Sequence, residues 1–195
     1  ISDTARSIYL EVKPKDDFTN TLYWNHYSGW SKPPLSYNIY RIKNEVVEPL
    51  LANVPFSNNT YTDDVSFYTK EDGNFSYYVV AIEDTSNILV SGELSFSNIA
   101  LAIQSPKLFV PNAFIPEGIN NIFRPVGVFI EENDYQMQIY NRWGQNIYTT
   151  NSIINGWNGK YKGEACQAGV YIYKINFRSS TGEIYEKHGT VTLIR

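Results

Sequence analysis

Cysteine occurs once in these 195 residues, histidine twice and methionine once. A lone thiol, Cys166, cannot close an internal disulfide, so the fold must be held by packing alone. Cys166 itself is expected as a small side chain in a loop. With only His26 and His188, and no motif that sets a nucleophile beside a base, the chain carries no readable catalytic centre and is expected not to be an enzyme. Charged residues make up 18% of the chain and the net charge is -4. That balance offers no basic face, so neither nucleic acid nor anionic lipid is a default partner. No run approaches the ~20 apolar residues of a membrane span, so no transmembrane segment is expected. The chain opens on ISDTARSIYLEV, without the basic start and apolar block of a signal peptide, and is read as a fragment of a longer polypeptide.

What the sequence does hold is aromatic. Tyrosine occurs 16 times, aromatics reach 15%, and 43% of residues are hydrophobic. Such a composition favours strands, because aromatic and β-branched side chains fit a pleated, half-buried surface. The length suits two domains of about 100 residues each. Gln104-Ser105-Pro106, short, polar and closed by proline, is the expected boundary. It divides the chain into residues 1–104 and 105–195.

In the first part SIYLEVK alternates with a period of two, and Leu22 and Trp24 share a face in the next run. Gly29 to Pro34 breaks the pattern, since consecutive prolines cannot donate to a ladder. Tyr37, Ile39 and Arg41 then alternate with Asn38, Tyr40 and Ile42. SNNTYTDD is rich in turn formers, and NFSYYVVAIE, apolar on both faces, is expected as a central strand covered on each side. Ser95 to Ile103 closes the domain. Short strands, regular turns and no helical period indicate an antiparallel sandwich. Asp63-Asp64 and Glu71-Asp72 are read as turn residues, with too few oxygen ligands around them for calcium. His26 is expected beside Trp24 on a strand, as a packed or rim residue. Trp30 and Tyr27 are expected in loop packing, with a sugar-stacking platform as the alternative. LYWNHYSGW, SYNIYRIK, TYTDDVS and FSYYVVAIED, in that order, resemble a fibronectin type III domain. The resemblance implies a buried Trp24 on the second strand and Tyr77 and Val79 on the sixth.

In the second part LFVPNAFI reads as an edge strand interrupted by Pro111, followed by a loop anchored by Phe123. Tyr135, Met137 and Ile139 alternate with glutamines. Asn141-Arg142-Trp143-Gly144 turns the chain, and Gln145 to Thr149 completes a hairpin. Trp157 and Tyr161 plug a glycine-rich loop. Gly144, Gly156, Gly159 and Gly169 are explained by backbone demands. Tyr171, Tyr173, Ile175 and Phe177 share one face, Ser180-Thr181-Gly182 turns, and Val191 and Leu193 share one face of a last strand. Both halves are therefore expected as immunoglobulin-like antiparallel β-sandwiches, an all-β chain.

FVPNAF, IFRPVG, MQIYNRWGQNIY, GWNGKYKGEACQAGVYIYKI and EKHGTVTLIR resemble, in order, the type B C-terminal sorting domain of the type IX secretion system, including gliding-motility-associated C-terminal domains. The WNG…GVYIY portion also resembles the immunoglobulin-like domain of the flagellar hook cap. The sorting family usually has an aspartate-rich loop where this chain reads Pro116-Glu117-Gly118-Ile119-Asn120-Asn121, so no calcium, and no other cofactor, is expected. The resemblance implies recognition by the type IX translocon and an associated outer-membrane β-barrel protein. It also implies export through the periplasm to the cell surface or medium. Arg142 and Trp143 are the first candidates for the recognised surface, since Arg and Trp are enriched at binding hot spots. A core position is the preferred expectation for Trp143. Lys187, His188 and Arg195 are placed at the end that reaches a translocon component, with His188 exposed. Residues 1–104 become a spacer or cargo module. A carbohydrate-binding or adhesin sandwich, with Trp30 and Trp157 as stacking platforms, is the alternative.

Overall fold

The computed structural model describes residues 6–86, 92–130 and 134–195. Among them there is no α-helix, and none of its elements is a helix long and apolar enough to cross a membrane. Two compact units are present. One holds the residues up to Phe67 together with Asn74–Gln104, the other Tyr68–Gly73 together with Ser105–Arg195.

The first unit is built from β1 (Leu10–Pro14), β2 (Thr19–Trp24), β3 (Ser36–Lys43), β4 (Val46–Val47), β5 (Ala52–Pro55), β6 (Thr60–Asp64), β7 (Asn74–Ile82), β8 (Leu94–Phe96) and β9 (Ala100–Ile103). β1, β2 and β6 form one antiparallel sheet. β3 and β7 form the centre of the other, with β4 and β5 on β3 and β8 and β9 on β7. The alternation that forms each strand also fills the core: Leu10, Leu22, Trp24, Tyr37, Ile39, Phe75, Tyr77 and Val79 are buried. Trp24 meets Tyr37 edge-on, ring centroids 5.6 Å apart, the geometry aromatic quadrupoles favour.

Three sequence expectations change here. The TYTDD stretch is a strand, and Asp63 is buried at 4% exposure. A buried carboxylate must be paired. Asp63 accepts from Arg41 Nη1 at 2.7 Å and from the Tyr77 hydroxyl at 2.7 Å, while Arg41 Nε reaches Glu48 at 2.5 Å. The partners come from three strands, which no local pattern could join. Strand β7 is central but not covered on both faces: Tyr78 is half-buried and stacks on Tyr40 at 5.0 Å. His26 does not share a strand with Trp24. β2 ends at Trp24, and His26 lies in the following loop against Phe56, at 4.5 Å between ring centroids.

The second unit contains β10 (Lys107–Phe109), β11 (Ala113–Phe114), β12 (Val126–Val128), β13 (Gln136–Tyr140), β14 (Asn146–Thr150), β15 (Lys160–Tyr161), β16 (Glu164–Ala165), β17 (Gly169–Arg178) and β18 (Ile184–Leu193). Five of them form a sheet in the order β11-β18-β17-β13-β14. The expected single edge strand at LFVPNAFI is in fact two strands in two sheets. β10 pairs antiparallel with β12, and β11 pairs parallel with β18 through Ala113↔Thr192 and Phe114↔Leu193. Pro111 sits between them, where its missing N–H lets the chain leave one ladder and join another. Thus the one parallel pairing in this sheet departs from the all-antiparallel expectation.

The core of this unit gathers around Trp157, which is fully buried. Its ring lies 5.3 Å from Phe114 and 4.7 Å from Tyr171, and its Nε1–H donates to Lys160 O at 2.9 Å. Phe123 and Trp157 exchange backbone hydrogen bonds of 2.8 and 2.9 Å, so Phe123 anchors its loop as the sequence suggests. Gly159, at φ +77°, lets the chain turn beneath Leu193 and Pro116, where a Cβ would come within 3.0 Å of both. This packing of Trp157 removes it as a sugar-stacking surface.

Candidate functional site

The strand register decides which candidate residues share a surface. Tyr140 of β13 lies opposite Ile172 of β17, and Gly169 of β17 opposite Leu193 of β18. The β13–β14 turn, the start of β17 and the residues after β18 therefore meet at one end of the five-stranded sheet. Arg142, Trp143 and Arg195 belong to this end.

The turn is rigid because Asn141 ties it from several directions. Its Oδ1 accepts from Trp143 N at 3.0 Å and Gln145 N at 3.1 Å, and its Nδ2 donates to Gln145 Oε1 at 3.0 Å. The Asn141 carbonyl accepts from Gly144 N at 2.9 Å. Gly144 closes the turn at φ +77°, a conformation that strains a residue with a Cβ. Neighbouring backbone polar groups are thus satisfied locally, which leaves the two side chains between them to point outward.

Trp143 is 73% exposed. This corrects the expectation of a core plug: the β13–β14 connection holds the indole outside the sandwich, and Trp157 fills the core instead. The Arg142 guanidinium lies over the Trp143 ring, 4.2 Å from its centroid, a cation–π contact that restricts both side chains. Beside them is a groove of about 120 Å³ lined by Asn141, Arg142, Trp143, Gln167, Gly169 and Tyr171.

Tyr171 marks the floor of this end. Its hydroxyl donates to Gln167 O at 2.7 Å. Burial pushes its acidity down, so its pKa is raised; Cys166 acts in the same sense, while Arg195 and Arg142 both pull the other way. Arg195 Nε also donates to Cys166 O at 3.0 Å. Burial raises the pKa of the half-buried Cys166 thiol more than Tyr171 and Arg195 lower it, so the thiol form is favoured and the group is a poor nucleophile.

Lys187 and His188 are elsewhere. They pair with Ile175 and Lys174 in the middle of β18, and His188 is five residues before Leu193, about 17 Å along a strand. Adjacent strand residues face opposite sides. Lys187 Nζ reaches Leu108 O at 3.0 Å, where it ties β18 to β10, whereas exposed His188 shares its face with Glu186 and Thr190. The pair therefore does not join Arg142, Trp143 and Arg195 in one patch. Of the glycines singled out by the sequence, Gly144 closes the turn that carries Arg142 and Trp143 and Gly169 lines the groove beside it, while Gly156 and Gly159 flank Trp157 in its loop. Among the described residues no group of His, Cys, Asp and Glu could hold a metal ion.

The sequence of residues 106–193 matches the CHU_C type IX secretion signal domain. No curated protein matches the chain. Among solved structures, it is similar to a two-domain fibronectin type III segment of chicken tenascin, at 12% identity and TM-score 0.49, over 97% of this chain and 99% of that one. It is also similar to pectate lyase Pel3 of Pectobacterium carotovorum, at 19% identity and TM-score 0.37, over 56% of this chain. The match spans 32% of the lyase, so this chain accounts for about a third of that enzyme's length. Residues 106–193 thus belong to the CHU_C type IX secretion signal domain family, a sorting signal recognised by the type IX secretion machinery.

Proposed function

We propose that the second unit is read as a folded address, through the sheet end that carries Arg142, Trp143 and Arg195, by an outer-membrane β-barrel protein associated with the type IX translocon. The observation that supports this choice is the Trp143 indole, exposed on a turn fixed by Asn141 and stacked against Arg142. A large aromatic held in water by a rigid turn costs hydrophobic free energy that a partner's surface recovers. Because its rotamers are already restricted, little side-chain entropy remains to be lost on binding. In this reading the chain is non-catalytic, the first unit serves as spacer or cargo module, and the exported product reaches the cell surface or medium by way of the periplasm.

The test fuses the whole 195-residue chain to a fluorescent reporter, in cells with and without the secretion system. Export only where the system is present is expected. Arg142→Ala combined with Trp143→Ala should leave the thermal unfolding of the chain unchanged and cut export by about tenfold or more, the scale of two hot-spot side chains. Export of the double variant at the parental level would refute this sheet end as the recognised face. Retention of the unaltered fusion in both strains would refute the sorting role.

A further inference from the structure

We propose that the outer face of the first unit's larger sheet docks a second copy of this chain, giving a face-to-face homodimer. The inner face of that sheet carries Tyr37, Ile39, Tyr77 and Val79 into the core. Cross-strand partners share a face, so the register defines the opposite one. Tyr40 stands beside Tyr78, Phe96 beside Val80 and Leu101 beside Ser76. Val47, opposite Ile42, and Leu94, opposite Ile82, extend the same face.

This face is apolar without being covered. Every second residue from Ser36 to Ile42 and from Asn74 to Ile82 falls on it, as do Val47, Leu94, Phe96 and Leu101, and none of these is charged. The exposed face of an antiparallel sheet is ordinarily its polar one. Here Val47, Leu94, Phe96 and Leu101 are each between 50% and 58% exposed. The Tyr40 and Tyr78 rings stack at 5.0 Å, within 11° of parallel, and Tyr78 lies 6.2 Å from Phe96, so a row of aromatic rings crosses three strands. The polar margin is tied within the face. Asn53 Nδ2 donates to Asn38 Oδ1 at 2.6 Å and to Ser36 Oγ at 2.9 Å, so covering the face leaves that amide paired.

Charge, area and symmetry select the occupant. Residues 1–104 contain seven Lys and Arg against thirteen Asp and Glu, so two copies of this unit repel one another on average. On the outer face they can meet with no charge on either side, whereas a partner held by charge complementarity would find nothing there to pair with. The four exposed side chains, with the half-buried residues between them, amount to about 600 Å² per copy, the upper end of what a monomer leaves bare. Two copies would remove about 1,200 Å² from water, where stable specific interfaces begin. A patch that faces itself across a two-fold axis supplies that whole area from one surface, and sheets stack in this way about 10 Å apart with their strands nearly aligned. The inference is independent of the sorting role, since all of its residues lie in the first unit.

The experiment measures the mass of the 195-residue chain by sedimentation equilibrium from about 1 to 300 μM. A reversible dimer with a micromolar Kd is expected, the affinity of an interface at the small end of the range. Phe96→Glu puts a carboxylate on the face of both copies and should weaken association about tenfold or more. Ile184→Glu, at an exposed position of β18 in the second unit, should leave it unchanged. Mixing Phe96→Glu with Phe96→Lys chains should restore association that neither shows alone, because opposite charges then meet on the paired faces. If Phe96→Glu disturbs the far-ultraviolet circular dichroism, Leu101→Glu and Leu101→Lys carry the same test. A chain that is monomeric throughout would overturn the inference, including one that instead floats with phosphatidylcholine vesicles and so gives the face to lipid. So would a dimer that Phe96→Glu and Leu101→Glu leave intact, a dimer that Ile184→Glu weakens equally, or a mixture of the two charge variants that stays monomeric.

Discussion

Trp157→Ala removes the bulkiest fully buried side chain of the second unit, and its consequence separates a folded address from a linear one. The indole packs against Phe114 of β11 and Tyr171 of β17, and Phe123 is bonded to its backbone. The substitution therefore opens a cavity where the edge strand, the central hairpin and the long loop converge. Truncating a buried tryptophan costs about 3–5 kcal/mol, and the lost Nε1–H bond to Lys160 O adds about 1 kcal/mol. A unit of some 90 residues holds about 5–14 kcal/mol in total. The loss therefore removes a third or more of its stability and brings the unit to the edge of unfolding. Trp157→Phe keeps a ring in the same place but no donor, and should cost about 1–2 kcal/mol. Urea denaturation of the full chain, followed by near-ultraviolet circular dichroism, should show the second unit's transition moving to much lower denaturant in Trp157→Ala and slightly in Trp157→Phe. Export of the reporter fusion should fall in the same order. Normal export of a Trp157→Ala protein whose second unit is unfolded would refute the claim that the signal is read as a folded surface.

Other expectations follow from the same structure. Asp63→Ala takes a buried carboxylate from the Arg41 guanidinium and the acceptor from the Tyr77 hydroxyl, so the first unit should lose about 3 kcal/mol in urea denaturation. Gly144→Ala meets no atom within 4 Å but forces alanine to φ +77°; it should cost about 1–2 kcal/mol and lower export with it, measurable as a downward shift in Tm of the second unit. Burial and the neighbouring Asp63 charge raise the pKa of Tyr77, and burial with a smaller contribution from Tyr148 raises that of Tyr135. Near pH 10 the unfolded chain releases these phenolic protons while the folded chain keeps them, so the unfolded state binds fewer protons and stability falls as pH rises. Tyr77 and Tyr135 should each contribute a loss of about 1.4 kcal/mol per pH unit above pH 10, with no loss from these groups below it. Tyr77→Phe should reduce that slope in the first unit only, as read by denaturation at pH 9 and 11.

The sequence alone determined what short-range periodicity can encode. Strands β2, β3, β13, β17 and β18 are legible in alternation of period two, because each needs only a polar and an apolar face. The asparagine and glycine that turn the chain at Asn141–Gly144 are legible too, because an asparagine side chain can bond the turn's N–H groups and a glycine can take a positive φ. Five ordered motifs were enough to indicate a sorting signal. Tertiary structure decided everything that depends on which distant residues meet. The split of LFVPNAFI between two sheets requires β18, nearly 80 residues later, as a parallel partner. Asp63 reads as a turn former until Arg41 and Tyr77 arrive from other strands to pair it. Trp143 and Trp157 are the same side chain in similar glycine-rich surroundings. One is displayed and the other buried because only the Trp157 loop is closed over by Phe114, Phe123 and Tyr171. Strand register, a long-range property, likewise placed Arg195 at the same sheet end as Arg142 and left Lys187 and His188 in the middle of β18. Local pattern fixes which face of a strand is buried; only the assembled sheets fix which exposed side chains become neighbours.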